Sequence, residues 1–158
     1  MFISRVANTD PKVALLRSVP GLAGAGVREL CSLAALFDEA VVDEGELLAR
    51  EGEPGRELFL IVEGEVLVSL RGEAIATVGA GEFVGEMTLF ERAPRAATLT
   101  ALTPTRVLVA GSGSFGALLN QPAVLRRLAA TLASRLRAAQ ASPAGWAEPV
   151  RRSAAGIR

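Results

Sequence analysis

Between about residues 38 and 111 the apolar residues fall into a spacing of two, and turn residues interrupt them at short, regular intervals. Val66-Leu67-Val68-Ser69-Leu70, Ala74-Ile75-Ala76-Thr77-Val78 and Arg106-Val107-Leu108-Val109-Ala110 are short runs of strand-forming type. Around and between them stand Glu44-Gly45, Gly52, Pro54-Gly55, Gly64, Arg71-Gly72, Gly79-Ala80-Gly81, Pro104 and Gly111. Some eight short strands joined by tight turns leave few solutions for burying their apolar faces. A small barrel or a jelly roll is the expected one.

Helical spacing precedes and follows this block. Val27, Leu30, Cys31, Leu33, Ala34 and Phe37 recur at steps of three and four and define one apolar face. Before them, Leu15-Leu16 and then Val19-Pro20-Gly21 predict a short helix closed by a turn, so helices are expected over about 11–37. Cys31 on that face reads as a small buried hydrophobe rather than a reactive thiol. After Gly113, residues 114–119 predict one short helix. Pro122, suited to a helix start, opens a longer one to about Ala141. Its leucines 125, 128, 132 and 136 predict a stripe that packs on the strands or on a second copy. The small, basic stretch 143–158 reads as a flexible tail; Trp146 within it is a candidate anchor on the barrel or a partner. The expected organisation is one domain, 1–142, followed by that tail.

Composition removes several function classes. Half of the 158 residues are hydrophobic, enough to build a core in one domain. Seventeen basic residues balance seventeen acidic ones, against the basic excess of a nucleic-acid binder. The chain has no histidine and one cysteine, which removes the commonest general base and any cysteine zinc site. No run approaches a membrane span and the start lacks a secretory signal, so a cytoplasmic setting without membrane contact is expected. Arginine stands at every basic position but Lys12, and alanine is abundant; both fit a coding bias and carry no function.

One segment departs from the alternation: Gly79 to Thr98. Gly85 is followed by Glu86-Met87-Thr88-Leu89-Phe90, about a turn and a half of helix set between two strands. Pro94-Arg95-Ala96-Ala97-Thr98 then leads into the next strand. A helix start leaves backbone N–H groups unpaired, and an arginine nearby supplies charge and paired donors for an anion. The Glu86 carboxylate can accept hydrogen bonds from sugar hydroxyls. One acid, one arginine and a set of amides suit a sugar phosphate.

This segment resembles the phosphate-binding cassette of cyclic nucleotide-binding domains, the family of catabolite activator protein and the regulatory subunits of protein kinase A. The matching residues are Gly85, Glu86, Met87, Thr88, Leu89, Phe90, Pro94, Arg95, Ala96, Ala97 and Thr98. Arg50-Glu51-Gly52-Glu53-Pro54-Gly55 and Leu58 to Val66 resemble the family's early strands and turn, so the likeness runs over about 15–140. It implies an α+β fold: an eight-stranded antiparallel β jelly roll with N-terminal helices and a C-terminal lid helix. It further implies that Arg95 meets a cyclic phosphate with help from the amides of Ala96 and Ala97. Gly85 and Glu86 would take the ribose hydroxyl, Met87 and Thr88 would lie in the same site, and Arg135 on the lid helix would reach the base. The small Ala96 implies cAMP over cGMP.

Departures qualify the resemblance. Thr88 stands where the family has Ala or Gly, and Val84 where it has an aromatic residue. Nothing resembling a helix-turn-helix follows the lid helix, so DNA reading is not expected. The reading is therefore a non-catalytic sensor or regulatory protein for a cyclic nucleotide, cAMP or cGMP, needing no cofactor or metal, with a protein partner or a homodimer formed through the C-terminal helix. Two rivals are a ligand-free fold in which Arg95 and Glu86 simply pair, serving as a protein-interaction module, and a phosphodiesterase, which the missing histidine disfavours.

Overall fold

The computed structural model describes residues 10–141. The tail expected at 143–158, with Trp146, lies outside the described residues. Helix α1 (Pro11–Ser18) starts where the Asp10 side chain accepts from the Lys12 amide at 2.9 Å, with proline in its first turn. The Val19-Pro20-Gly21 turn follows, and α2 (Val27–Ala34) returns. Their shared apolar face buries Val13, Leu16, Leu30, Leu33 and Ala34, with Phe37 just beyond. Val27, expected on that face, is exposed at the first position of α2, outside the packed turn. Cys31 is half-buried against the same cluster, as a small hydrophobe would be.

Eight strands follow: β1 (Asp38–Val42), β2 (Leu47–Ala49), β3 (Leu58–Glu63), β4 (Glu65–Leu70), β5 (Glu73–Gly79), β6 (Phe83–Val84), β7 (Thr98–Ala101) and β8 (Thr105–Ala110). They form two four-stranded antiparallel sheets, ordered β1-β8-β3-β6 and β2-β7-β4-β5, so the expected jelly roll is what the chain builds. Leu58-Phe59-Leu60-Ile61-Val62 of β3 is buried at every position, which explains why this strand is an unbroken apolar run rather than an alternating one. Leu58, Leu60 and Val62 pack toward the helices with Phe83, Leu108 and Phe115. Phe59 and Ile61 face the interior between the sheets, with Val66, Val78, Val84, Leu99 and Val107. Each such side chain removed from water contributes about 1.5–3 kcal/mol, so β3 ties both clusters into one body.

The β4–β5 hairpin turns at Arg71 (φ 52°) and Gly72 (φ 78°), the left-handed pair of a two-residue type I′ turn. The Arg71 amide donates to the Glu51 carboxylate at 2.8 Å, holding the hairpin tip over the β2 side. Beyond β8 a short 3₁₀ turn (Ser112–Ser114) leads to α3 (Phe115–Leu119) and α4 (Pro122–Ala141). The expected leucine stripe of α4 is corrected here. Ala123, Val124, Leu128 and Thr131 form the buried side, while Leu125, Leu132 and Leu136 are 43%, 38% and 48% exposed. Of the four leucines only Leu128 packs inward, in the core cluster with Ala123 and Val124, and the other three face out.

Candidate functional site

A cavity of about 700 Å³ opens between the β4–β5 hairpin, the 84–97 segment and the end of α4. Gly85, Glu86, Met87, Thr88, Arg95, Ala96, Ala97 and Arg135, all singled out in the sequence, line it together.

Gly85 begins the local departure from the sheet. Its φ is 79°, and an added Cβ would lie 2.8 Å from the Glu57 carbonyl oxygen and 2.9 Å from Nη1 of Arg95, so only glycine fits. The expected helical segment is a 3₁₀ helix of four residues, Glu86–Leu89, one residue shorter than the stretch to Phe90 expected. Thr88 is accommodated because its hydroxyl donates to the Gly85 carbonyl at 2.8 Å, so its extra polar atom is satisfied within the turn. Glu86 is buried, whereas Met87 is 48% exposed at the cavity mouth.

Arg95 is 7% exposed. Its Nη1 donates to the Glu57 carbonyl at 3.0 Å and its Nη2 to the Glu57 carboxylate at 2.8 Å. The guanidinium carbon lies 5.6 Å from the Phe59 ring centre. A Cβ at Gly55 would come within 2.6 Å of Nε, so two glycines leave the space in which this guanidinium lies. The backbone is braced as well: the Gly52 amide donates to the Arg95 carbonyl and the Arg95 amide to the Glu53 carbonyl, both at 2.9 Å. The Pro54-Gly55 turn thus positions the arginine from below. Among the described residues, the amides of Ala96 and Ala97 enter none of the loop's backbone hydrogen bonds.

The direct Arg95–Glu86 pair weighed from the sequence is not what forms. Glu86 pairs with Nη1 of Arg135, whose Nη2 donates to the Phe83 carbonyl at 2.8 Å. Arg135 therefore ties the last turns of α4 to the start of the cassette across 49 residues of sequence. Arg127, two turns earlier, adds a second clasp through Nε to the Gly81 carbonyl at 2.7 Å. Glu57 was missed by sequence reasoning: it lies in an ordinary polar stretch 38 residues from Arg95, and nothing local marks it. The arrangement offers a buried cation and a buried carboxylate in one cavity with apolar strand residues such as Val68, Leu70 and Ile75.

Comparison with known proteins agrees with this geometry. Residues 39–122 match the family described as "Cyclic nucleotide-binding domain". A cAMP-dependent protein kinase regulatory subunit of Yarrowia lipolytica is 37% identical over 106 residues, 66% of this chain and 28% of that protein. A cAMP-binding acyltransferase from Mycobacterium smegmatis superposes with TM-score 0.72 at 29% identity, covering 82% of this chain and 42% of that one. The Thermus thermophilus catabolite activator protein gives 0.65 at 29%, covering 77% and 60%. The chain thus spans under a third of its Yarrowia relative and less than two thirds of either solved structure.

Proposed function

Since the chain belongs to the cyclic nucleotide-binding domain family, we propose that it is a sensor that binds a cyclic nucleotide, cAMP first, and regulates a partner without catalysis or DNA reading of its own. The observation that carries this is Arg95: a buried guanidinium held between Gly55 and Gly85 in a cavity that also presents the Glu86 carboxylate. The donors of Arg95 not used by Glu57, with the amides of Ala96 and Ala97, would hold the cyclic phosphate. Glu86 and Gly85 would take the ribose hydroxyl. Arg135, on α4, would close over the base end.

Two-state regulation then needs only that the ligand bind the closed arrangement of α4 more tightly than the open one. Micromolar affinity corresponds to about 8 kcal/mol. The exposed Leu125, Leu132 and Leu136 stand at steps of seven and four on the outer side of α4, a spacing suited to a helix of a partner or of a second copy. Leu132→Glu should abolish such association in sedimentation while leaving the monomer folded.

Isothermal titration with cAMP tests the sensor reading. Saturable heat is expected, and Arg95→Ala and Glu86→Ala should each weaken it with circular dichroism unchanged. One observation favours a second reading, a protein-interaction module with no ligand: both key charges already have partners in the protein, Glu57 and Arg135. Absence of heat and of any thermal shift would select that reading. Release of 5′-AMP during the titration would instead mark an enzyme.

A further inference from the structure

We propose that the outer side of α4 is a docking seat for an acidic amphipathic helix of a partner protein, and not for a second copy of this chain. The inference rests on the reading of this side as an association surface and names the chemistry of the partner. It does not depend on what fills the cavity.

Leu125, Ala129, Leu132 and Leu136 are all exposed and recur at steps of four, three and four. At about 100° per residue they fall within about 60° of the helix circumference. That is the narrow seam of a helix pair rather than the wide stripe of a helix laid on a broad apolar surface. Ala129, small and central, leaves a hole for a larger side chain of the covering helix. Arg135 and Ala138 line the cavity from another side of α4, so the seam and the cavity use different sides of one helix.

Charge decides what the covering helix must carry. The chain as a whole is neutral, yet no acidic residue occurs between Arg92 and Ala147. Within that stretch α4 holds four arginines and no acid. Two of them are engaged inside the molecule, Arg127 on the Gly81 carbonyl and Arg135 on Glu86. Arg126 and Arg137 are exposed, and among the described residues neither has a carboxylate partner. Each directly follows a leucine of the seam, Leu125 or Leu136, so both lie about 100° to the same side of it and about 16 Å apart along the helix. A second copy laid on the seam, parallel or antiparallel, brings only further arginines to it, and the charge across the seam is repulsive. A helix with leucines on its own seam and glutamates or aspartates beside them meets both the leucines and the arginines.

The test uses the full chain without nucleotide and two synthetic helical peptides of about 21 residues. Both carry leucine at the seam positions; one has glutamate and the other lysine at the flanks. Sedimentation should show a monomeric chain that binds the glutamate peptide, and the lysine peptide at least about tenfold more weakly. Raising salt from about 0.05 M to about 0.5 M should narrow that difference. Leu132→Glu should abolish binding, and Arg126→Glu combined with Arg137→Glu should invert the preference, both with unchanged circular dichroism. Equal binding of the two peptides, or a reversed variant that still prefers glutamate, would overturn the proposal. So would a dimer that Leu132→Glu dissolves, which would make the second copy the occupant. Flotation with phosphatidylserine vesicles that is lost in the Arg126 and Arg137 variant would overturn it too, in favour of a membrane face. A monomer that binds neither peptide would overturn the association reading itself, while cAMP titration decides the sensor reading separately.

Discussion

Two arginines reach the same cavity from different regions, one from the cassette loop and one from the last helix, and each is paired with a glutamate in the opposite sense. In the cassette the arginine is the buried member: the Arg95 side chain is 6% exposed and Glu57 is 52% exposed. At the helix the acid is the buried member, with Glu86 at 8% and Arg135 at 37%. The buried member of each pair is fixed by backbone, through Gly85 and the braced 52–55 turn. The exposed member is a counter-ion standing where solvent or a ligand can replace it. A phosphate would compete with Glu57, and ribose hydroxyls would share Glu86 with Arg135. Fixed charges aimed at the cavity and replaceable partners at its rim suit an ion-binding pocket, because a buried charge left wholly unpaired is costly.

The sharpest way to break that comparison is Arg95→Ala. It removes the fixed cation, and affinity for cAMP should fall by about 2–5 kcal/mol, read by titration calorimetry. Loss of less than tenfold would mean that Arg95 is a structural charge and that the phosphate sits elsewhere. Gly85→Ala should come next. An alanine at φ 79° is strained, and its Cβ would press on the Glu57 carbonyl and on Arg95. A stability loss of about 1–3 kcal/mol in urea unfolding, accompanied by weakened binding, is expected. Glu57→Gln tests the replaceable side of the cassette pair. The amide keeps an acceptor for Nη2 and removes a negative charge beside the phosphate. Since an exposed partner contributes about 0.2–1 kcal/mol, cAMP should bind up to about fivefold more tightly. Weaker binding would show instead that Glu57 is needed to aim the arginine.

How much of this was legible in the sequence follows from distance along the chain. Gly85 to Thr98 is contiguous, so its family is legible from neighbouring residues alone. The eight strands were legible from period and turns, because tight antiparallel connections are local events. The pairings were not. Glu57 lies 38 residues from Arg95 and Glu86 lies 49 from Arg135, and the fold alone brings them together. The outer face of α4 misled for a different reason. Helical periodicity finds a stripe but not its direction, and α4 carries two: Val124, Leu128 and Thr131 on one side, Leu125, Leu132 and Leu136 on the other. The leucine stripe was expected on the strands or on a second copy, and only Leu128 of it joins the core.

Arg135→Ala should cost less stability than Gly85→Ala, and its size measures how far the helix pair resembles the cassette pair. Removing Arg135 strips the exposed counter-ion and leaves Glu86 in place. Solvent reaches more than a third of the Arg135 side chain, so water enters where the guanidinium was and most of the Coulomb loss is screened. The remaining cost is a buried carboxylate with one fewer donor and a Phe83 carbonyl without its partner, about 1 kcal/mol together. For a domain of this size that lowers the melting midpoint by a few degrees. A double-mutant cycle with Glu86→Gln should then return a coupling of about 0.5–1 kcal/mol, of the same order as the Arg95 and Glu57 cycle measured in the same way. A coupling several times larger at the helix would reverse the comparison: Arg135 would be the fixed element, and α4 would hold the cassette in place rather than close upon it.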